Sequence, residues 1–459
     1  MSEKLKILYD EICELLNERR FNIVRNIIIQ INEVDVAEII DKAPPEQAVI
    51  IFRLLPKQLA AEAFAYMDSD TRERLVEVLT DKELGFVMQE LFVDDVASML
   101  EEMPASVVKK MLKATSPADR REINQILKYP EDSAGSVLTT ECVRLKATMT
   151  VAEAFEYIRS SGPDKETIYT CYVTDDNRYL QGVLTVKDLL LAKSTDVIGE
   201  LMEVNVISAY TTDDQEQVAK TFTKYDLTAL PVVDLENRLV GIITVDDIVD
   251  VIEKEATEDI EKMAAISPGD KPYLKTGVLE TVKSRIPWLV LLMFLATFTG
   301  MIITSFEASL AGSIALTAFI PMIMNTGGNS GSQASVAVIR SLALDDIAFK
   351  DIGRIIFKEA RVSLICGVIL AAANFAKIML FDNLIMQSGV STEVALVVCI
   401  TLIVTVVAAK IIGCTLPLLA KLCKLDPAVM ASPFITTIVD ALSLFVYFQI
   451  ASTVLKYKK

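Results

Sequence analysis

Histidine is entirely absent from the 459 residues. This side chain is the commonest general base and the usual ligand of zinc and copper, so its absence excludes Ser-His and Cys-His nucleophile pairs and most zinc and copper centres. The seven cysteines lie far apart without a Cys-x-x-Cys motif, which is typical of free thiols in a reducing compartment. No enzymatic activity is expected, and a metal handled by this chain should be a hard cation bound by oxygen.

Positive charge is also scarce, because 45 Lys and Arg stand against 62 Asp and Glu, for a net charge of −17. A nucleic-acid partner requires a basic face, so none is expected. From Trp288 onward long uncharged runs dominate, whereas the earlier residues carry a charge every few positions. This division predicts a soluble part joined to a membrane part. Residues 1–25 carry charges throughout, so no cleaved signal peptide is expected.

Residues 1–130 show apolar positions at three- and four-residue spacing, as at Val36, Ile39 and Ile40, which predicts helices. The tripeptide Asp-Val-Ala begins at Asp35 and again at Asp95, each time with a proline nine residues later. This single repetition favours a small helical solenoid.

A second and stronger repeat relates residues 179–189 to residues 238–248 without gaps. Each copy has a polar turn, a short strand ending in glycine, another strand, and a Thr-x-x-Asp motif that opens a helix. The duplicated motif resembles a tandem pair of cystathionine-β-synthase-type (CBS) domains at about 136–195 and 196–253. Because such domains often bind adenine nucleotides, the resemblance implies candidates for holding a ribose, which are Thr185 with Asp188 and Thr244 with Asp247.

Four long uncharged runs, at 286–306, 308–339, 362–376 and 394–409, and a fifth apolar run with one charged residue, at 427–454, predict five membrane helices. The first run would be about 31 Å long as a helix, which is enough to span a bilayer. Basic residues are concentrated in the loop after the second run, namely Arg340, Lys350, Arg354, Lys358 and Arg361. Their position predicts that the soluble part is cytoplasmic.

Asp440 is the only ionisable residue between Pro427 and Val454. A carboxylate at such a depth costs at least about 2.5 kcal/mol on insertion scales, so a functional role is favoured. It shares one helical face with a polar stripe, whose other members are Ser432, Thr436, Ser443 and Tyr447. The stripe predicts the lining of a water-filled path; the alternative is a buried aspartate paired with a neighbouring helix, with Lys410 as the candidate partner.

The second uncharged run contains Pro321 and the glycines Gly327, Gly328 and Gly331 among polar side chains. This composition predicts a broken or unwound helix, whose freed carbonyl groups would be good cation ligands. The alternative is a glycine-rich packing seam, which would not account for the asparagines.

Acidic residues are concentrated between Asp196 and Asp270, where 18 of them stand against 5 basic residues. If such surfaces face each other, divalent cations can bridge them and removal of the cations would drive them apart. The alternative is an ordinary solvated acidic face.

Over essentially its whole length the chain is similar to the MgtE family of magnesium transporters and channels. The motifs that carry this resemblance are Thr-Ser-Phe-Glu ending at Glu307, Thr-Gly-Gly-Asn-x-Gly-x-Gln at 326–333, Asp-Pro-Ala beginning at Asp426, and Asp440 in the last run. The order also matches: a helical N-terminal domain (1–130), tandem CBS domains (131–253), a connecting plug helix (254–283) and a five-helix pore domain (284–459).

The resemblance implies a homodimer in the cell membrane that admits Mg²⁺ through a pore along its axis. Asp440 of each subunit would hold the hydrated ion with help from Gly328 and Asn329, while Asp426 and Glu307 would lie near the cytoplasmic and outer mouths. Ser432 departs from the family, which has asparagine before this proline, so a shorter side chain replaces an amide ligand. Cytosolic Mg²⁺ would close the pore by binding sensor carboxylates, namely Asp94, Asp95, Asp214, Glu216, Asp226, Asp247, Asp250, Glu255, Glu258 and Asp259.

Two alternative functions remain open, and so does regulation by ATP. A membrane-anchored CBS sensor of adenine nucleotides would explain the duplicated motif, although an anchor would not need Asp440. A transporter of another divalent cation, such as Co²⁺, would be compatible with the same carboxylates, although soft ligands are lacking. ATP is left open as an additional modulator of an Mg²⁺ channel.

Overall fold

The computed structural model describes residues 2–269, 273–306, 314–385, 387–430 and 432–454, without the side chains of Ile314 and Ser432. The chain divides into two compact units. Unit 1 comprises residues 1–253 and unit 2 comprises residues 254–459.

Short helices form the first half of unit 1, and local chemistry sets where they begin. Prolines stand at or just before the first position of α4, α5 and α9, where the missing amide hydrogen would have no partner in any case. Thr80 and Glu83 form a reciprocal capping box at the start of α7. The helices are α1 (Glu3–Asn17), α2 (Phe21–Ile28), α3 (Glu33–Lys42), α4 (Pro45–Leu54), α5 (Lys57–Ala65), α6 (Ser69–Val78), α7 (Asp81–Glu90), α8 (Val93–Glu102), α9 (Ala105–Ala114) and α10 (Asp119–Ile126).

These helices stack in alternation along the chain. Helix α3 packs on α5, α5 on α7, and α7 on α9. This alternating pattern is typical of a helical solenoid and confirms the predicted architecture.

Two similar α/β modules form the second half of unit 1, as the sequence repeat predicts. The first contains β1 (Cys142–Leu145), α11 (Val151–Ser161), β2 (Thr167–Thr174), β3 (Leu180–Thr185) and α12 (Val186–Leu191). After α13 (Ile198–Leu201), the second contains β4 (Ala209–Tyr210), α14 (Gln215–Tyr225), β5 (Ala229–Val233), β6 (Leu239–Thr244) and α15 (Val245–Met263). In each sheet a parallel pair is followed by an antiparallel pair, β1-β2-β3 and β4-β5-β6.

One apolar core connects the helices to the second α/β module. The buried cluster that runs through α1–α10 continues into Val218, Phe222 and Leu230 of that module. Close packing also requires glycine at position 241, because a Cβ atom there would clash with the carbonyl oxygen of Thr139. This shared core places α8 beside the start of α15, where several of the predicted sensor carboxylates lie.

Unit 2 contains five long helices among the described residues. They are α16 (Val278–Ser305), α17 (Ile314–Ala343), α18 (Ile352–Lys377), α19 (Thr392–Leu422) and α20 (Ser432–Val454). Shorter segments connect them, namely 3₁₀ helices at Phe349–Asp351 and Pro427–Met430 and a π-helix at Ile378–Ile385. Helix α19 is the most buried, and it packs against α17, α18 and α20.

Within the part of the chain that the structure describes, four helical stretches are long and apolar enough to cross a membrane: Val278–Ser305, Phe349–Ile385, Thr392–Leu422 and Pro427–Val454. Helix α17 has 30 residues, about 45 Å, which also suffices in length. Several helices extend beyond the uncharged runs, as α18 does by starting at Ile352 rather than Val362. Charged residues end an apolar run without ending a helix, since Lys, Arg and Glu are good helix formers.

Candidate ion pathway and regulatory carboxylates

Asp440 lies on α20 with a carboxylate that the described residues leave incompletely bonded. Its Oδ1 atom is buried without a hydrogen-bond partner among them, and the same holds for Thr405 Oγ1 and Ser443 Oγ. Lys410, the alternative partner considered from sequence, instead lies 3.9 Å from Glu359 Oε2. A buried carboxylate oxygen without a hydrogen-bond partner is costly, so Asp440 is a candidate for contact with water or a cation.

The prediction that α17 is unwound around its glycines is wrong. The helix is continuous from Ile314 to Ala343 with Pro321 inside it. The glycines instead permit close helix packing, because a Cβ atom at Gly327 would lie 2.6 Å from Ser443 Oγ and one at Gly328 would lie 2.8 Å from Thr436 Cγ2. The packing-seam alternative therefore describes this segment, and no unwound backbone supports Gly328 as a carbonyl ligand.

The polar stripe on α20 is only partly open. Tyr447 is buried and its hydroxyl donates a hydrogen bond to the carbonyl oxygen of Leu316 (2.9 Å). Ser443 is also buried, beside Gly327. Thr436 and Asp440 keep partial exposure. The stripe is thus not a continuous water-facing lining within one chain, because its C-terminal part packs against α17.

The other residues proposed for the pore occupy different places. Asn329 is exposed, and its Nδ2 donates to Asn325 Oδ1 at 3.2 Å. Asp426 accepts from the backbone amide of Ala428 at 2.8 Å and pairs with Lys262 Nζ at 2.7 Å. Glu307 and the side chain of Ser432 lie outside the described residues.

A group of buried carboxylates in unit 1 is the second notable site. Asp94 and Asp95 come from the first turn of α8, and Asp247 from the first turn of α15. Glu141 precedes β1 and Glu166 precedes β2. We call these five residues the carboxylate cluster. The Oδ1 atom of Asp94 is buried without a hydrogen-bond partner among the described residues, which is the feature a bound cation would satisfy.

Burial and mutual repulsion raise the pKa values of these carboxyl groups. Burial first, and then the charges of Asp95 and Asp247, raise the pKa of Asp94 well above its ordinary value. The same causes raise the pKa of Asp95 to about 6, against the opposing effect of Arg72. They raise the pKa of Glu166 to about 7. A cation would reverse this repulsion and favour the ionised forms.

Two further carboxyl groups of the cluster are perturbed in the same direction. Burial raises the pKa of Asp247 against the hydrogen bond that Thr244 Oγ1 donates to its Oδ2 (2.6 Å). Burial also raises the pKa of Glu141, which accepts a hydrogen bond from Thr139 Oγ1 (2.7 Å). Burial is therefore the first cause of the raised pKa in all five carboxyl groups of the cluster.

Glu141 and Glu166 are not among the sensor residues predicted from the sequence. Each stands alone next to a strand, and neither belongs to an acidic run. The backbone amide of Glu166 donates to the carbonyl oxygen of Glu141 at 3.0 Å, so the two lie together at the same edge of the first sheet. The available signal was the parallel pairing of β1 and β2, which brings equivalent strand ends together.

The remaining proposed sensor residues do not all join the cluster. Asp214 caps α14 by accepting from the amides of Glu216 and Gln217, at 2.9 and 3.4 Å. Glu216 pairs with Lys220 at 2.8 Å. Asp226 has a left-handed backbone at the end of α14. The others lie along α15. Burial, followed by repulsion from Glu253 and Asp246, raises the pKa of Asp250. Glu258 pairs with Lys262, and Glu255 and Asp259 also make polar contacts.

The two Thr-x-x-Asp motifs serve as helix caps. Thr185 Oγ1 donates to Asp188 Oδ2 at 2.6 Å, and the amide of Asp188 donates back to Thr185 Oγ1 at 3.2 Å. This bonding lowers the pKa of Asp188. Thr244 makes the equivalent bond to Asp247. Their first role is therefore to start α12 and α15.

Among the described residues, no three acidic or cysteine side chains converge closely enough to form a compact metal centre. Mg²⁺ keeps several waters and is commonly held by only one or two carboxylates. A soluble unit with clustered carboxylates, followed by long apolar helices with one unpaired carboxylate, defines a membrane protein that handles divalent cations.

Comparison with known families agrees with this class and identifies the family. Residues 320–450 match the model of the MgtE divalent cation transporters. Residues 31–132 match the MgtE intracellular N domain, and 134–194 and 198–254 match CBS domains. This chain belongs to the MgtE family.

Two relatives span almost the whole chain. The magnesium transporter MgtE of Thermus thermophilus is 34% identical, over 99% of this chain and 100% of its own length. The magnesium transporter MgtE of Bacillus subtilis is 33% identical, over 91% of this chain and 93% of its own.

Two solved structures resemble part of the chain. The cytosolic domain of the Mg²⁺ channel MgtE in complex with ATP aligns with a TM-score of 0.51 at 35% identity, covering 53% of this chain and 99% of that one. The soluble part of a magnesium transporter aligns with a TM-score of 0.52 at 28% identity, covering 55% of this chain and 99% of that one. Both support the fold of the soluble unit.

Proposed function

We propose that this protein conducts Mg²⁺ into the cell and that cytosolic Mg²⁺ closes it. The observation that carries the proposal is the buried, unpartnered Oδ1 atom of Asp440 on a membrane helix. Such an atom is tolerated where a cation or its water shell completes the bonding. The names of the relatives in Thermus thermophilus and Bacillus subtilis support Mg²⁺ as that cation.

Conduction requires a site that binds the ion without holding it. Mg²⁺ loses water reluctantly, so Asp440 contacts it through its hydration shell. Two subunits place two such carboxylates on a shared axis and balance the double charge. Helix α16 supports a homodimer in lipid, because none of its residues is buried within the chain. Inward flow then follows the membrane potential, at about 2.3 kcal/mol per charge per 100 mV.

The carboxylate cluster supplies the closing signal. At low Mg²⁺ the ionised side chains of Asp94, Asp95, Glu141, Glu166 and Asp247 repel one another and separate α8 from the second α/β module. At high Mg²⁺ bound ions cancel this repulsion and favour the compact arrangement. Because the ion binds one of the two states better, it shifts the equilibrium between them.

Four segments then have distinct roles: the sensor helices are residues 1–130, the CBS pair is 131–253, the connector is 254–283 and the pore is 284–459. The soluble segments lie in the cytoplasm, since the basic loop at 340–361 marks that side of the cell membrane. Asp426 lies at the cytoplasmic mouth. Asp214, Glu216 and Asp226, with the acidic residues of α15, extend the sensing surface.

ATP is also a proposed modulator, and its support comes from the solved structure of a relative. The cytosolic domain of an Mg²⁺ channel MgtE forms a complex with ATP. Thr185 donates a hydrogen bond to the carboxylate of Asp188 here. A bound ribose would therefore use a carboxylate that also caps α12. Titration of the full chain with ATP, compared between wild type and Asp188→Asn, tests this point: equal binding removes Asp188 from the site.

Transport assays test the main proposal. We expect Asp440→Ala to abolish Mg²⁺ uptake into proteoliposomes while the protein still inserts and elutes as a dimer. Asp346→Asn, which changes an exposed loop carboxylate, is the matched control and should transport normally. Normal uptake by Asp440→Ala would refute the pore assignment. Uptake of Co²⁺ in preference to Mg²⁺ would favour another divalent substrate, and absence of any uptake by wild type would favour a nucleotide sensor.

A further inference from the structure

A lysine near the end of α15 contacts the loop that follows α19. Lys262 Nζ lies 2.7 Å from Asp426 Oδ2 and also contacts the carboxylate of Glu258, one helical turn earlier. All three residues belong to unit 2. One ammonium group therefore bridges two carboxylates that come from different elements.

The bridge is held in place from both sides. The Oδ1 atom of Asp426 accepts from the backbone amide of Ala428 (2.8 Å), which fixes the carboxylate at the start of the 3₁₀ helix before α20. Beyond Lys262, the amide of Ser267 donates to the carbonyl oxygen of Ser284 on α16 (3.0 Å). The connector is thus docked along unit 2, and Lys262 is its charged contact with the 425–430 loop.

The environment favours a charged lysine in this position. The side chains of Lys262, Glu258 and Asp426 are 25%, 29% and 34% exposed. Partial burial works against the ammonium, but the hydrogen bonds to Asp426 and Glu258 outweigh it and raise the pKa of Lys262. A compact ammonium with three donors can serve two carboxylates at once.

Two carboxylates with one lysine keep a net charge of −1, whereas two carboxylates with one Mg²⁺ are neutral. Lys262 therefore neutralises the two carboxylates less completely than a bridging divalent ion would. Unlike the ion, it is covalently part of the connector. It holds the connector in place when Mg²⁺ is low, and it must be displaced before Mg²⁺ can bridge Glu258 and Asp426.

We propose that Lys262 is a tethered cation that stabilises the docked connector without Mg²⁺ and competes with Mg²⁺ for Glu258 and Asp426. It is a positioning residue for gating and does not contact the conducted ion. This inference rests on the proposed function, because it assumes that docking of the connector accompanies closure. Its consequence is that removal of the lysine increases the response to cytosolic Mg²⁺.

Inside-out patch recordings of the full chain test the proposal. Without cytosolic Mg²⁺, Lys262→Met should raise the open probability roughly two- to fivefold, the range expected for loss of a partly exposed ion pair. Current at saturating Mg²⁺ should still be suppressed, so the ratio between the two conditions should increase by a similar factor. Lys262→Arg should resemble wild type, since it keeps the charge, and Lys283→Met, at an exposed lysine of α16, is the control.

The outcomes separate this inference from the proposed function. Wild-type behaviour of Lys262→Met in a conducting channel would overturn the tether alone, and so would an Arg variant that behaves like the Met variant. Lys262→Gln provides a second uncharged variant if Lys262→Met does not fold, and it is subject to the same expectations. A wild-type protein without Mg²⁺ current would instead contradict the proposed function.

Discussion

The two units place carboxylates in opposite ways. Unit 1 gathers five acidic side chains from α8 and from both α/β modules, and their pKa values rise because burial and repulsion act together. Unit 2 keeps Asp440 as a single carboxylate on α20, with one oxygen unpartnered among the described residues. In the proposed function, the crowded carboxylates of unit 1 bind a cation and change state, whereas the isolated carboxylate of unit 2 binds a hydrated cation that can leave. The proposal thus assigns regulation to one unit and conduction to the other.

The largest expected effect separates the two roles directly. Asp440→Asn keeps the shape of the side chain and removes its charge, so Mg²⁺ uptake should fall at least about tenfold, as expected for loss of a charge-assisted contact. Stabilisation of unit 1 by Mg²⁺, measured as protection from proteolysis, should not change. Loss of that protection together with transport would mean that the two sites are not separable.

The carboxylate cluster should show the reverse behaviour. Asp94→Asn combined with Glu166→Gln removes two repelling charges, so the Mg²⁺ concentration that protects unit 1 from proteolysis should rise about tenfold. Without Mg²⁺ the double variant should be more resistant to proteolysis than wild type, because the repulsion is smaller. Glu156→Gln, an exposed change on α11, is the control. An unchanged Mg²⁺ midpoint would exclude these residues from sensing.

The pH dependence of unit 1 should have a defined sign. The pKa values of Asp95 and Glu166 rise to about 6 and about 7, so the folded state binds more protons than the unfolded state between about pH 4 and pH 7. Without Mg²⁺, their contribution to stability is greatest below pH 4 and is lost as the pH rises through about 6 for Asp95 and about 7 for Glu166. Glu141, Asp94, Asp246 and Asp247 contribute repulsion, and Arg72 opposes it.

Thermal unfolding of the full chain in detergent at several pH values checks this sign. Mg²⁺ should flatten the slope, since it stabilises the ionised carboxylates. Stability that rises with pH over this interval in the absence of Mg²⁺ would contradict the described cluster.

The smallest effect concerns the helix seam of unit 2. In Gly327→Ala, the added methyl group would lie against Ser443 and Thr405, and such overpacking costs about 1–3 kcal/mol. Gly300→Ala, where no atom lies within 4 Å of the added group, should be neutral or slightly stabilising. Equal thermal stability of the two variants would show that α17 and α20 do not pack closely.

The sequence predicted what depends on local pattern. The duplicated Thr-x-x-Asp motif located both α/β modules, since a capping box is encoded within four residues. The isolation of Asp440 is likewise visible in composition. The state of α17 was mispredicted, because glycines at 327, 328 and 331 have the same composition in a broken helix and in a packing seam. Only the positions of Ser443, Thr436 and Ile435 on the facing helix distinguish them.

Long-range pairings were beyond sequence patterns. Glu141 and Glu166 are isolated in the chain and meet only because β1 and β2 are parallel neighbours. The Lys262–Asp426 pair joins residues 164 positions apart, and neither residue indicates its partner.

Ion localisation tests the central claim most directly. A structure of the full-length protein in lipid with Mn²⁺, located by its anomalous scattering, should show an ion beside the Asp440 carboxylates of two subunits, at a distance that leaves room for a water layer. An Asp440 side chain enclosed in dry protein, with no ion near it while ions occupy the carboxylate cluster, would contradict the account.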